Sequence, residues 1–96
     1  MVKKTKIVEE YNDLQVKLLD IVSAQYICNF TIQITFSGGA SRLVNFKPFL
    51  ENSYYPSIRK YLNENMFMQF NVIDGNLNWN DYDLIFPIED LYQGTI

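Results

Sequence analysis

Two aspartates, Asp81 and Asp83, stand two residues apart in "NDYD", and their spacing is the one in this chain best suited to carboxylate chemistry. On an extended segment, residues i and i+2 point the same way. Two close carboxylates can share a proton or hold a hard cation. Asp74 could join them only if the hairpin folded back on itself. The spacing fails the EF-hand pattern, which needs acids at alternating positions, then a glycine, then a distal glutamate. Structural roles are favoured: Asp81 accepting backbone N–H groups within the turn, and Asp83 capping or bracing the segment that follows.

Other reactive residue types are scarce. The chain has no histidine. That removes Ser-His-Asp and Cys-His nucleophile systems and most zinc sites. Cys28 stands alone, so it forms no internal disulfide. With no Cys or His near it in sequence to lower its pKa, it is expected to be a small buried or turn residue. Gly38 and Gly39 match neither GxGxxG nor a P-loop and mark a turn. The balance is against an enzyme, and no cofactor or metal is expected.

Composition sets the frame for these residues. Ninety-six residues suggest one domain. The aromatic fraction, 16%, is too high for a disordered chain. A lone cysteine fits a reducing cytoplasm. No apolar run approaches the roughly 20 residues that span a bilayer. The start, "MVKKTKIVEEYND", lacks the apolar core of a signal peptide. All eight Lys and Arg lie at or before Lys60, so the first sixty residues carry +3 and the remainder −6. The net charge of −3 argues against non-specific nucleic-acid binding, which rests on neutralising phosphates.

The elements that must position the candidate residues follow from periodicity. Ile7, Tyr11, Leu14 and Leu18 form one helical stripe, so a short helix is read near 5–16, followed by a strand over 18–27. "FTIQITF" alternates strictly, with Phe30, Ile32, Ile34 and Phe36 on one face. A three-residue loop, Ser37 to Gly39, would set Ile34 opposite Arg42, Ile32 opposite Val44 and Phe30 opposite Phe46. Gly39 would take the left-handed position of that loop. The register keeps Val44 and Phe46 on the apolar face, and leaves Arg42 as a cost unless it lies at the rim. Pro56 opens a helix with Ile58, Tyr61 and Leu62 on its apolar stripe, stopping at Asn65. Met66 to Met68 lead into a third β run. Asp74-Gly75 between alternating runs is a strong hairpin signal. It places Val72 opposite Leu77 and Phe70 opposite Trp79, which makes Trp79 a core residue whose indole N–H needs an acceptor. Pro87 opens a last helix with Glu89 and Asp90 in its first turn, where acids complement the dipole. Gly94 ends it.

The expected fold is α+β. A small antiparallel sheet of about four to five strands is built from two hairpins. A helix near 56–64 packs on it and a short C-terminal helix lies near 87–93. Residues 1–16 form an N-terminal extension with a helical stripe, and 17–96 a single domain.

"FSGGASRLVNFKPFL" followed by "DGNLNWNDYDLIFPIEDLY" resembles the small prokaryotic proteins grouped as domain of unknown function 2442, over roughly residues 18–94. The resemblance rests on Phe36 and Gly39, on Val44-Asn45-Phe46, and on Trp79, Asp83 and Leu91-Tyr92. Gly38 stands where that family usually has Asp or Asn, and Asn45 where it usually has Asp. An amide at 45 can keep a hydrogen bond but not a carboxylate charge. The resemblance implies a compact bacterial α+β domain with no established reaction. Some members are fused to a helix-turn-helix, and some are encoded near toxin–antitoxin-like partners.

The functional expectation is a non-enzymatic protein-binding or regulatory module. Its candidate contact residues are Asp81, Tyr82, Asp83, Glu89, Asp90 and Tyr92, and a basic protein, toxin-like in the family's setting, is the natural complement. One alternative is nucleic-acid contact through Lys3, Lys4, Lys6, Arg42, Lys47, Arg59 and Lys60, although no helix-turn-helix is readable. Another is a metal-binding or hydrolytic protein built on Asp81 and Asp83. Homodimerisation through "FTIQITF" is open if that strand lies at an edge.

Overall fold

The strict alternation of "TIQITF" becomes the central strand of a sheet. In the computed structural model, which describes residues 19–94 and 96, strand β2 (Thr31–Phe36) buries Ile32, Ile34 and Phe36 and leaves Thr31, Gln33 and Thr35 half-exposed on the other face. Strand β3 (Ser41–Asn45) pairs with it so that Ile32 faces Val44 and Ile34 faces Arg42. The loop between them is Ser37–Gly39, closed by Phe36 N–H donating to the Ala40 carbonyl at 2.8 Å, with Gly39 at φ +92°. Arg42 therefore stands among apolar neighbours. Its cost is offset at the rim, where Nε donates to the Tyr92 carbonyl at 2.9 Å and the guanidinium lies 4.3 Å from the centre of the Tyr92 ring.

Strand β1 (Ile21–Cys28) covers the other edge of β2. The turn between them is Asn29–Phe30, both at positive φ, as a two-residue hairpin of this hand needs. Phe30 is thus a turn residue and not the first residue of the strand. Its ring still reaches the core, 5.0 Å from Phe67. Cys28 lies just before this turn and is exposed. Tyr26 Oη donates to the Glu64 carboxylate and accepts the Phe30 N–H at 3.2 Å, which fastens the hairpin to the helical segment. Because β2 is central in the order β1-β2-β3, it offers no edge to a second copy; among the described residues β1 and β3 are the edges.

A second three-stranded sheet follows. Strands β4 (Phe70–Ile73) and β5 (Asn76–Trp79) form the Asp74-Gly75 hairpin, with Val72 opposite Leu77 and Phe70 opposite Trp79, and β6 (Leu84–Ile85) pairs with the far side of β5. The single sheet of four to five strands expected from the sequence is therefore replaced by two separate three-stranded sheets. The reason lies where they meet. Ile21 N–H donates to the Gly75 carbonyl at 2.9 Å, so the start of β1 meets the turn of the second hairpin and not the length of one of its strands. Among the described residues, no ladder of strand hydrogen bonds runs from one sheet to the other. Phe46 joins the two apolar faces, 5.5 Å from Trp79 and 5.1 Å from Phe86.

The connection between the sheets is more helical than its pattern suggests. Helix α1 (Lys47–Asn52) lies outside the elements expected from periodicity, although Pro48 in its first turn is the same signal read at Pro56. The helix expected near 56–64 is broken into α2 (Pro56–Arg59), a 3-10 turn (Lys60–Leu62) and α3 (Glu64–Phe67). Asn63 makes the break. Its backbone is extended and its side chain accepts the Met66 N–H at 3.3 Å, capping α3 where a β run was expected. The last helix, α4 (Ile88–Gln93), has Pro87 at its N-cap and ends on Gly94 at φ +73°. The helix read near 5–16 lies outside the described residues.

Candidate functional site

The two sequence-predicted aspartates take different environments. Asn80, Asp81 and Tyr82 are all at positive φ, between +49° and +69°, so the segment is a left-handed turn and not extended. The i, i+2 argument for two parallel carboxylates fails for that reason. The turn is held by Asn78, whose Oδ1 accepts the Tyr82 N–H at 3.4 Å, so Asn78 is the acceptor expected of Asp81. Asp81 itself is exposed. Among the described residues, no group of three or more His, Cys, Asp or Glu could hold a metal ion.

Asp83 is a brace. It accepts the Tyr61 hydroxyl at 2.7 Å and pairs with Lys60 Nζ at 2.8 Å, both on the same carboxylate oxygen. It thus ties the 3-10 turn to the loop that follows β5. Lys60, then the Tyr61 hydroxyl, hold the Asp83 carboxyl below its ordinary pKa. Burial, reinforced by the Asp83 carboxylate, pushes Tyr61 from 10.0 up to about 12. The consequences for stability have opposite signs. The raised Tyr61 contribution is present below pH 10 and is lost as pH rises toward 12, because the unfolded chain releases that proton first. The lowered Asp83 contribution is present above the ordinary carboxylate range and is lost as pH falls through the folded value. Denaturation across pH should show Tyr61→Phe flattening the alkaline arm and Asp83→Asn flattening the acid arm. An unchanged alkaline arm in Tyr61→Phe would refute the assignment.

Glu89 is exposed and Asp90 half-buried in the first turn of α4, and Tyr82 is exposed. Tyr92 faces inward, its ring 5.2 Å from Phe36 and under the Arg42 guanidinium. Trp79 is fully buried, ringed by Phe46, Tyr61, Phe67, Phe70 and Phe86. Its indole N–H donates to the Phe67 carbonyl at 2.7 Å.

Two surface depressions lie apart from the acidic residues singled out as candidate contacts by sequence. One, of about 350 Å³, lies between α1 and α2 and is lined by Pro48, Phe49, Asn52, Tyr55, Ile58 and Ile96, among others. Tyr54 and Tyr55 stand at 94% and 69% exposure in this region. The pair "YY" before Pro56 is the signal that could have found it, since Pro56 holds Tyr55 extended at ψ 123°. The other, of about 300 Å³, is lined by Tyr61, Met66, Gln69, Asn71, Trp79 and Asn80 at the open end of the β4–β5 hairpin.

The basic residues among the described residues are engaged internally, while Lys3, Lys4 and Lys6 lie outside the described residues. Arg59 donates to the Glu51 and Ser53 carbonyls at 2.7 and 3.3 Å, Lys60 pairs with Asp83, Arg42 binds Tyr92, and Lys47 lies 5.9 Å from the Phe30 ring centre. No helix of the described residues is long and apolar enough to cross a membrane.

A family model described as "Protein of unknown function (DUF2442)" matches residues 21–96. No curated protein and no solved structure matches the chain.

Proposed function

The chain belongs to the DUF2442 family, and from that starting point we propose that it is a non-enzymatic protein-binding module that docks an apolar protein segment flanked by basic residues. One observation carries this: Tyr54 and Tyr55 stand in solvent close to an apolar groove, in a chain that otherwise buries most of its large aromatic residues. Tyrosine is enriched at binding hot spots because it offers large rigid area with a polar tip. The groove would take an aliphatic or aromatic anchor from the partner.

Charge supports a basic flank. The Phe49 ring of the groove lies 4.9 Å from Phe86, and α4 begins two residues later with Glu89 and Asp90. The cations nearest the groove in sequence are Lys47, over the Phe30 ring, and Arg59, which donates to the Glu51 and Ser53 carbonyls; Lys60 is paired with Asp83. Asp81 and Tyr82 are also exposed, whereas Asp83 is paired with Lys60 and Tyr92 is packed under Arg42. A small basic protein of the toxin-like kind implied by the family resemblance has this chemistry. The internal engagement of Arg42, Lys47, Arg59 and Lys60 weighs against nucleic-acid contact through those four residues.

Selection of a random peptide display on the immobilised chain tests this. Enriched peptides should pair an apolar anchor with Lys or Arg, and should weaken as salt rises. Tyr54→Ala with Tyr55→Ala, both exposed positions, should reduce binding at least about tenfold. Enrichment no better than on a control scaffold, or peptides that bind the double variant equally well, would refute the proposal.

A further inference from the structure

Helix α4 ends on Gly94, whose N–H donates to the Leu91 carbonyl at 3.3 Å while its φ of +73° turns the chain out of the helix. A left-handed residue at this position sends the chain in a new direction. Two residues later stands Ile96, half-buried and packed against the core. It lines the groove between α1 and α2 together with Pro48, Phe49, Tyr55 and Ile58. The groove assigned above to a partner's apolar anchor therefore already meets one aliphatic side chain, and this chain supplies it.

Ile96 differs from the other residues of the groove in how it is held. Pro48 and Phe49 belong to α1 and Ile58 to α2. Phe49 is pinned further by the Phe86 ring at 4.9 Å. Among the described residues, the last hydrogen bond of the C-terminal segment is the one from Gly94, so Ile96 is held by side-chain packing. Apolar packing is non-directional. Another aliphatic side chain can take its place without leaving a buried donor or acceptor unpaired.

We propose that Ile96 is an internal competitor for this groove, covering it in the free chain and leaving when a partner's aliphatic side chain docks. The inference rests on the reading of the groove as a docking site. A competitor of this kind lowers the partner's affinity by the fraction of time that the groove is open. It also shields the groove. Phe49 and Ile58 are half-buried with Ile96 beside them, next to the exposed Tyr54 and Tyr55. Without that cover the apolar patch is larger, and large exposed patches invite non-specific association. Ile96 also indicates the class of anchor. A side chain that displaces it must fill the same space, which favours isoleucine, leucine or valine over an aromatic ring.

The test follows isoleucine methyl groups of the full chain by NMR, with N-acetyl-isoleucine amide as the probe. In the free chain, the Ile96 methyls should show NOEs to the Phe49 ring and to Ile58. The probe should shift Ile58 and move the Ile96 methyls toward the position of an exposed isoleucine, while N-acetyl-serine amide should do neither. Ile96→Ser, outside the buried core, should bind the probe about three- to tenfold more tightly, as expected if the groove is open roughly a third to a tenth of the time. Free-chain spectra without those NOEs, or equal shifts with the serine amide, would overturn the proposal. Weaker binding to Ile96→Ser would overturn it too, by making Ile96 a wall of the site. Equal binding to both chains, with Ile58 shifted in each, would remove the competitor and leave the docking groove standing. A probe that shifts Ile58 in neither chain would overturn both.

Discussion

Trp79→Ala is expected to destabilise the fold by about 3–5 kcal/mol, the range for removing a large aromatic from a packed core. Trp79 is fully buried and touches rings from every layer of the core: Phe46 from the end of β3, Tyr61 from the 3-10 turn, Phe67 from α3, Phe70 from β4 and Phe86 beyond β6. No single neighbour can collapse into the space, because each is fixed by the others. A second loss adds to the cavity. The Phe67 carbonyl accepts the indole N–H at 2.7 Å in a buried position and would lose that partner. Stabilities of natural domains are about 5–15 kcal/mol, so the variant should be partly unfolded or close to it. Trp79→Phe separates the two terms, since it keeps much of the ring volume but not the donor. It should cost less than the alanine variant, with about 1–3 kcal/mol coming from the unpaired carbonyl. Urea denaturation followed by circular dichroism measures both. A loss under about 1 kcal/mol in Trp79→Ala would mean that Trp79 is not the centre of the core. Wild-type emission at the wavelength of free tryptophan would mean the same.

The centrality of Trp79 is legible in the sequence because it depends on one local event. Asp74-Gly75 sets a two-residue turn, and the register then follows residue by residue to the Phe70–Trp79 pair. The same holds for β2 and β3, where the loop length determines which residues meet. Longer-range relations are not legible. Whether two hairpins share one sheet or form two depends on how β1 meets Gly75, and no local pattern encodes that contact. The helical connection departs from its pattern for a different reason. Asn63 and Asn65 are chemically equivalent as helix punctuation, and only tertiary packing of Phe67 into the core selects Asn63 as the break.

The candidate sites show the same division. Asp81 and Asp83 stand out because carboxylates two apart suggest chemistry. Three consecutive left-handed residues separate their roles, and nothing short of the folded turn announces that. Asp83 finds Lys60 and Tyr61 more than twenty residues away in sequence. The amides of "QFNVIDGNLNWN" are visible as polar partners of an alternating strand, and alternation alone assigns such residues to solvent. The convergence of Gln69, Asn71 and Asn80 on a cleft, and the burial of Asn78 with its Nδ2 unpaired among the described residues, belong to the folded hairpin and its neighbours Tyr61 and Met66.

The contact that joins the sheets gives the second large expected effect: Gly75→Ala should destabilise by about 2–4 kcal/mol, a backbone cost and a steric cost combined. Gly75 is at φ +79°, and an L-residue there costs about 1–2 kcal/mol. An added Cβ would also lie 2.6 Å from Asp20 Oδ1, 2.7 Å from its Cγ and 2.9 Å from its Cβ. Rotating the Asp20 carboxylate relieves the first two approaches but not the third. Moving the Asp20 backbone is resisted, because its carbonyl accepts Ser37 N–H at 2.8 Å and its N–H donates to Ser37 Oγ at 3.2 Å. Moving Gly75 instead would strain the bond from Ile21 N–H to its carbonyl. Gly39→Ala is the natural control. It carries a φ of +92° but has open space around the added carbon, so it should show the backbone cost alone, about 1–2 kcal/mol. Asp20→Gly removes all three crowding atoms, and in that background Gly75→Ala should fall to the Gly39→Ala value, a coupling that a double-mutant cycle reads directly. Equal losses for Gly75→Ala and Gly39→Ala in the wild-type background would show that β1 and the second hairpin are not held in close contact at this point.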